Sequence, residues 1–503
     1  MTLRIRLLAA ALLGGLAAFG QAPYDLAILL MIGMTGAVWL VRPVVRPWHA
    51  ALIGWAFGLG YFMHALQWIV SPFMVDVARH GWMAPFALVF LAAGMALFWG
   101  VAFWGARKLS DRTWPLILCW PAAELTRAYI FTGFPWAMPA QALVSLEVGQ
   151  YLAVFGPYVL NLFLVAVAVV VPFLLHRYGR LAAVVAAGVI TVLLLLPPRA
   201  GTAALTDHTI RLIQPNASQR EKWDPEMIPV FYDRQLQFSA ALPVANTPSP
   251  DLIIWPETAI PWVLDLAGSA LQEIAMAAGP ATVAMGVQRR SDSRYFNSMV
   301  VLGPQGAVAQ AYDKHHLVPF GEYMPLGDLL ARVGIYGLAA RDGHGYSAGP
   351  GPRMLDFGPL GKALPLICYE AVFAHDVGGA PERPAFLIQI TNDAWFGKGA
   401  GPKQHLAQAR MRAIEQGLPL ARAANTGISA MIDPHGRVSA HLPLNTAGFV
   451  DAMLPKPLLP TMYSRTGDLP FALVLLLGLG VVTLRRVLKQ KPDIKIDHSR
   501  RHR

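Results

Sequence analysis

Apolar positions are spread unevenly along this chain, and the unevenness divides it. Windows of roughly 20 mostly apolar residues, the length that crosses a bilayer, fall at about 5–20, 24–41, 49–70, 84–104, 115–131, 154–175 and 180–197, with an eighth at about 468–485. The stretch between the seventh and eighth has ordinary soluble composition. The pattern predicts a seven-helix transmembrane region over 1–200, a folded domain over 205–455, an eighth transmembrane helix at 468–486 and a basic tail at 487–503. The fifth window contains Glu124 and Arg127, whose spacing of three puts them on one helix face, either as a pair or as part of a polar path into the bundle.

Inside 205–455 the period changes to strand and helix in alternation. Strands are expected from His208, at Asp251–Glu257, Ala281–Val287, Ser298–Leu302 and Ala307–Tyr312, up to Cys368, and at Ala385–Ile390. Two final strands are expected around Ala421–Ile432 and Arg437–Leu442. Helices are expected over Pro225–Leu242, up to about 278, and over Gln404–Gln416. Such alternation over about 250 residues points to one α/β domain with helix-covered sheets. A Gly- and Pro-rich loop at 318–352 is long enough to be read as a lid or a membrane-facing arm.

Composition supports the division. Of 503 residues 55% are hydrophobic and 14% charged, with a mean hydropathy of +0.44, which argues against a purely soluble protein. Lys and Arg gather in alternate loops of the eight-span pattern and in the tail, so both termini are expected in the cytoplasm and the 205–455 domain on the outer side of the membrane. This bias accounts for much of the net charge of +11, leaving no reason to invoke a nucleic-acid partner; contact with lipid headgroups suffices. Residues 1–20 are read as a retained helix, since no convincing cleavage site precedes Gln21 and further spans follow. There are two cysteines, Cys119 in a predicted span and Cys368 in the folded domain, so a mutual disulfide is not expected.

Three polar islands interrupt the apolar framework of the domain: Trp255-Pro256-Glu257-Thr258, Asp313 to Tyr323 with Lys314 and Glu322, and Cys368-Tyr369-Glu370. A thiol acting as nucleophile needs a base to take its proton and a cation to steady the oxyanion it creates. Glu257, Cys368 and Lys314 on three strand ends supply these. Cys368 is expected at a strand-to-helix elbow, helped by helix N-terminal amides; taken alone, a cysteine in such a strand is more often buried filler.

With these islands, the chain resembles the nitrilase (carbon-nitrogen hydrolase) superfamily, and with eight spans around the domain it resembles the bacterial apolipoprotein N-acyltransferase family. The motifs are Lys222-Trp223-Asp224, Trp255 to Thr258, Lys314 to Glu322, Ile367 to Glu370, Thr391-Asn392-Asp393-Ala-Trp395-Phe396-Gly397, and Phe131 to Trp136 between the fifth and sixth spans. The resemblance implies a multi-pass α-helical membrane bundle carrying an α/β four-layer αββα sandwich in the bacterial inner membrane. It implies a Glu257, Lys314 and Cys368 triad that moves an acyl chain from a phospholipid donor through a cysteine thioester. The acceptor would be the α-amino group of a diacylglyceryl-modified apolipoprotein. A membrane-anchored amidase or hydrolase of the same superfamily is the alternative, and a non-enzymatic membrane scaffold or transporter is a second.

Supporting positions follow from the same resemblance. Glu322 would orient the lysine or shuttle a proton, or be a loop salt bridge. Tyr369 and Glu370 would shape the acyl pocket and elbow, or start a helix. Trp223 would gate the substrate or pack a helix start, and Asn392, Trp395 and Phe396 would line the same cleft. His315 and His316 are adjacent, which is wrong for chelation from regular structure, and no ligand cluster accompanies them. No metal and no cofactor are expected.

Overall fold

The structure is a computed structural model that describes residues 1–195, 201–244, 247–325 and 345–490. The first half is helical: α1 (Leu3–Ala17), α2 (Ala27–Val41), α3 (Pro47–Ala65), α4 (Ala84–Leu109), α5 (Leu116–Tyr129) and α6 (Leu152–Leu195). The sixth and seventh windows form one run, α6, broken where Gly156 and Gly179 take positive φ of 71° and 76°. Among the described residues, four helical segments are long and apolar enough to cross a membrane: Leu3–Gly20, Val77–Leu109, Glu147–Gly179 and Leu469–Leu488. Close approach of α1 to α3 depends on Gly60, where a Cβ would collide with the Ala11 carbonyl. Small residues at a crossing let two backbones come within packing distance, the usual device of membrane helices.

Glu124 and Arg127 are both buried and paired at 2.7 Å. Arg127 also donates to the carbonyls of Phe134 and Trp136, so the pair pins the 131–136 segment to α5.

Among the described residues twelve strands follow, in two six-stranded sheets. The first runs β12-β1-β2-β3-β4-β5, from β1 (Leu205–Gln214), β2 (Leu252–Ile254), β3 (Thr282–Ser291), β4 (Arg294–Leu302), β5 (Val308–Asp313) and β12 (Gly448–Pro455). The second runs β11-β10-β9-β8-β7-β6, from β6 (Leu355–Asp356), β7 (Lys362–Ile367), β8 (Phe386–Thr391), β9 (Leu420–Ala424), β10 (Ser429–Ile432) and β11 (Val438–Leu442). Alternate side chains of a strand point to opposite faces, and each sheet uses both. Ile210, Leu212 and Ile254 of the first sheet meet Ile367, Ile388 and Ala423 of the second in the central layer. Ile213, Ile253 and Met285 turn outward under α7 (Ile228–Ala240) and α8 (Gly268–Ala278), while Leu364, Leu366 and Leu420 turn outward under α9 (Ala400–Gln416). The result is a four-layer αββα sandwich. A final helix, α10 (Leu469–Gln490), returns to the helical region.

Three expectations change. Ala421–Ile432 is two antiparallel strands, β9 and β10, because Asn425 to Ile428 turn the chain. Strand β12 is an added edge partner antiparallel to β1, where a single hydrophobic period had no clear strand signature. Cys368 opens a short 3₁₀ turn, Cys368–Val372, and the α-helix after it spans only Ala374–Gly378, so the expected elbow leads into a turn rather than a long helix. Of the expected 318–352 arm, residues 326–344 lie outside the described residues, as does the tail from 491.

Candidate active site

Three strand ends bring the polar islands together. Glu257 follows β2, Lys314 follows β5 and Cys368 follows β7, and their side chains are 8% exposed or less. The Glu257 turn fits against β3 only because Gly286 has no side chain: a Cβ there would lie 2.6 Å from Glu257 Cα. Glu257 Oε1 accepts from Asn297 Nδ2 at 2.7 Å, and Oε2 accepts from the Asn392 backbone N–H at 2.7 Å. Lys314 Nζ stands 4.0 Å from Glu257 Oε1 and 2.8 Å from Glu322 Oε2. Asn297 reaches Glu322 Oε1 as well, at 3.1 Å, so one amide bridges the two carboxylates.

The electrostatics set the resting protonation. Burial raises the Glu257 pKa, with Lys314 opposing, so this carboxylate is a stronger base than an ordinary glutamate. Burial would lower Lys314, but Glu322, Glu257 and Cys368 outweigh it and hold the ammonium well above the usual lysine value. Burial and then Glu257 push the Cys368 thiol up, while Lys314 pulls it down; it stays well above an ordinary thiol. The expected easing by helix amides is replaced by a neutral thiol beside a firm cation and a buried base.

The supporting residues sort by contact. Glu322 does more than pair with the lysine: its Oε2 also accepts from Val318 N at 2.8 Å, tying down the start of the long loop. Glu370 is fully buried and clasps two islands, accepting from Ile367 N at 2.7 Å, Tyr312 Oη at 2.8 Å and His315 N at 2.8 Å. Tyr369 faces the helical region, donating to the Gly133 carbonyl at 3.3 Å and packing edge-on against Phe373. Trp223 is half-buried beside Lys222, whose ammonium lies 5.2 Å from its ring centre, at a pocket that also includes Tyr232, Pro256 and Asn425. Lys222 donates to Thr258 Oγ1 at 2.9 Å, and burial lowers its pKa to about 8. Asn392 reaches the site through its backbone; Phe396 instead packs on Trp68 and Trp136.

Among the described residues, His316, His375 and Asp376 are one set near enough to share a metal ion. Both His316 nitrogens are already engaged, by Asp376 Oδ2 at 2.7 Å and the Thr132 carbonyl at 2.9 Å, so the set acts as a clamp between the sandwich and the 131–136 segment. Sequence reasoning missed Asn297 and Gly286. Each sits in a strand that carries other polar or small residues, Ser298 beside Asn297 and Ala284 near Gly286, so neither stood out as a signal.

Comparison with known proteins gives the family. The model of the carbon-nitrogen hydrolase family matches residues 226–459, and that of the apolipoprotein N-acyltransferase N-terminal domain matches residues 13–170. Proteins named apolipoprotein N-acyltransferase from Rhodopseudomonas palustris (35% identical; 96% of this chain and 95% of the relative covered), Sinorhizobium fredii (38%; 90% and 90%) and Bradyrhizobium diazoefficiens (37%; 97% and 96%) align along almost the whole length. The chain belongs to the apolipoprotein N-acyltransferase family. It is therefore an acyltransferase and a membrane protein, its sandwich having the nitrilase fold. A solved amidase from Nesterenkonia sp. is also similar, with 19% identity, a TM-score of 0.39, and coverage of 54% of this chain and 97% of the amidase.

Proposed function

We propose that the protein transfers an acyl chain from a membrane phospholipid to the α-amino group of an S-diacylglyceryl-cysteine at the start of an apolipoprotein. The observation that carries the reading is the convergence of Glu257, Lys314 and Cys368 inside a sandwich packed directly on apolar helices. In the first half-reaction Glu257 takes the Cys368 proton as Sγ attacks the ester carbonyl, and Lys314 Nζ steadies the oxyanion. Collapse breaks the ester C–O bond, the proton on Glu257 passes to the departing lysophospholipid alkoxide, and a thioester remains on Cys368. In the second half-reaction the acceptor amine attacks that thioester. Glu257 takes the amine's proton, the C–N bond forms, and the thiolate leaves and is reprotonated.

Keeping the resting thiol neutral has a physical advantage. A buried thiolate without substrate would be costly to maintain, whereas proton transfer during attack creates negative charge only where Lys314 waits for it. A thioester is also far more reactive toward amines than the ester it came from, so dividing the transfer lowers each barrier. Membrane anchorage lets donor and acceptor reach the site without leaving the lipid phase.

In this proposal eight spans anchor the chain in the bacterial inner membrane, with both termini cytoplasmic and the sandwich in the periplasm. Intact-mass spectrometry after incubation with phospholipid tests the chemistry. Wild type should gain a hydroxylamine-labile acyl mass that a diacylglyceryl-cysteine peptide discharges, and Cys368→Ala should gain none. Discharge by water at the same rate without the peptide would identify a hydrolase, and an adduct on Cys368→Ala would remove the nucleophile.

A further inference from the structure

Behind the nucleophile lies a second polar cluster that the transfer steps above do not use. Gln389 on β8, Asp393 just beyond it, His405 on α9 and Arg422 on β9 are all fully buried. His405 Nε2 lies 3.0 Å from the Cys368 carbonyl oxygen, and Nδ1 lies 2.9 Å from Asp393 Oδ1. Gln389 Nε2 donates to the same Cys368 carbonyl at 3.1 Å and approaches His405 Nε2 at 3.2 Å. Arg422 closes the cluster, donating to Gln389 Oε1 at 2.6 Å and to Asp393 Oδ2 at 2.5 Å, and Thr391 Oγ1 donates to Asp393 Oδ1 at 2.9 Å. Burying a charged pair in a sheet interior gains little stability over apolar packing. The cluster is therefore better explained by what it holds.

What it holds is strained. Cys368 has φ of +53°, a left-handed conformation that strains a residue with a Cβ and persists only where the surroundings over-determine it. Fixing the Cys368 carbonyl fixes the peptide plane after the nucleophile, and so the direction in which Sγ points. Whichever ring nitrogen of His405 carries the proton, an N–H reaches that carbonyl. It comes from Nε2 directly, or from Gln389 while Nε2 accepts the second amide hydrogen.

We propose that His405, set by Asp393 and Arg422 and acting with Gln389, is a positioning residue that holds the Cys368 turn in its left-handed form and aims the thiol between Glu257 and Lys314. It touches no reacting atom. The ring packs against Trp136 at 5.6 Å and Phe396 at 5.3 Å between centroids, so the positioning group also abuts the helical region.

The inference rests on Cys368 being the acyl carrier, and the test separates the two. Acylation of full-length protein by phospholipid is followed by intact mass for wild type, His405→Phe, which keeps a ring of similar shape, and His405→Gln, which returns an amide donor. Iodoacetamide labelling of Cys368 against pH, without lipid, is measured in parallel. His405→Phe should acylate about 100-fold more slowly, the cost of a misplacement near 1 Å, at unchanged phospholipid KM. Its labelling midpoint should fall toward that of an ordinary thiol as the turn relaxes and water reaches Sγ. His405→Gln should recover to within about tenfold of wild type, since an amide can again hold the carbonyl. Wild-type rate and midpoint in His405→Phe, or a loss confined to KM, would overturn the proposal. Should that variant not fold, Gln389→Met removes the other donor to the same carbonyl and is judged by the same criteria. Absence of any acyl mass on wild type would instead overturn the acyl-carrier reading, leaving the labelling midpoint to judge the turn.

Discussion

The protonation pattern around Cys368 makes the cation the residue most sensitive to shape. Lys314 is a point charge held by Glu322 at 2.8 Å and by the Asn297 carbonyl through its backbone N–H at 2.9 Å, leaving its ammonium beside Glu257. A guanidinium is planar and longer, and cannot place its charge at the same point in a buried cleft. Lys314→Arg is expected to lower acyl-enzyme formation by about 10²–10³-fold, the usual loss when one oxyanion donor is removed. A burst of acyl-enzyme near the wild-type rate would take the oxyanion role away from this lysine. Glu257, Lys314 and Cys368 stood out in the sequence because each interrupts an apolar strand end, and the structure brings these three ends together. Asn297 was not legible: one asparagine in a strand gives no sign that its amide will bridge two carboxylates across the fold.

At the level of elements, the turn after β5 and the turn after β7 are joined by one cluster of charges. His315 Nδ1 lies 2.8 Å from Glu370 Oε1 and Nε2 lies 3.8 Å from Asp376 Oδ1, with the Tyr312 hydroxyl 2.7 Å from Nδ1. Burial would lower the His315 pKa, but the nearby carboxylates of Asp376 and Glu370 outweigh it and raise it to about 9. A group whose folded pKa lies above its unfolded value, near 6.5, contributes stability that is fully present below that value and is lost as pH rises through about 9. Thermal melting from pH 6 to pH 10 should therefore show an alkaline loss in wild type that His315→Gln flattens. An unchanged slope in that variant would show that the charge cluster does not couple the two turns. Neither this cluster nor the β9–β10 hairpin could be read from periodicity. The alanines of β9 and β10 carry the same apolar signal on both sides of the turn at Asn425 to Ile428, and His315 looked like one half of an unsupported histidine pair.

For the whole molecule, the proposed orientation follows from where Lys and Arg fall in the loops, and the fold is compatible with it, since β1 leaves and α10 returns to the same helical region. Alkaline phosphatase, which is active only outside the cytoplasm, should be active when fused within 205–455 and inactive when fused after residue 490. Activity at both positions would refute the orientation. The division of the chain into apolar helices and a soluble α/β domain was visible in the hydropathy pattern alone. How the two meet was not, because the seam is made by side chains distant in sequence. Gln404 on α9 accepts from Trp136 Nε1 at 2.7 Å and donates to the carbonyls of Ala22 at 3.2 Å and Ala65 at 3.1 Å. Tyr369, Val372 and Phe373, the residues just after Cys368, share one apolar core with the helical region. The Cys368 turn is thus walled on one side by the membrane portion of the protein, and the sandwich is not a detachable module. A soluble fragment cut at the start of β1 would carry Cys368 on an unsupported, greasy face, and any detergent that prises the halves apart would silence the enzyme while its helices and sheets remained intact.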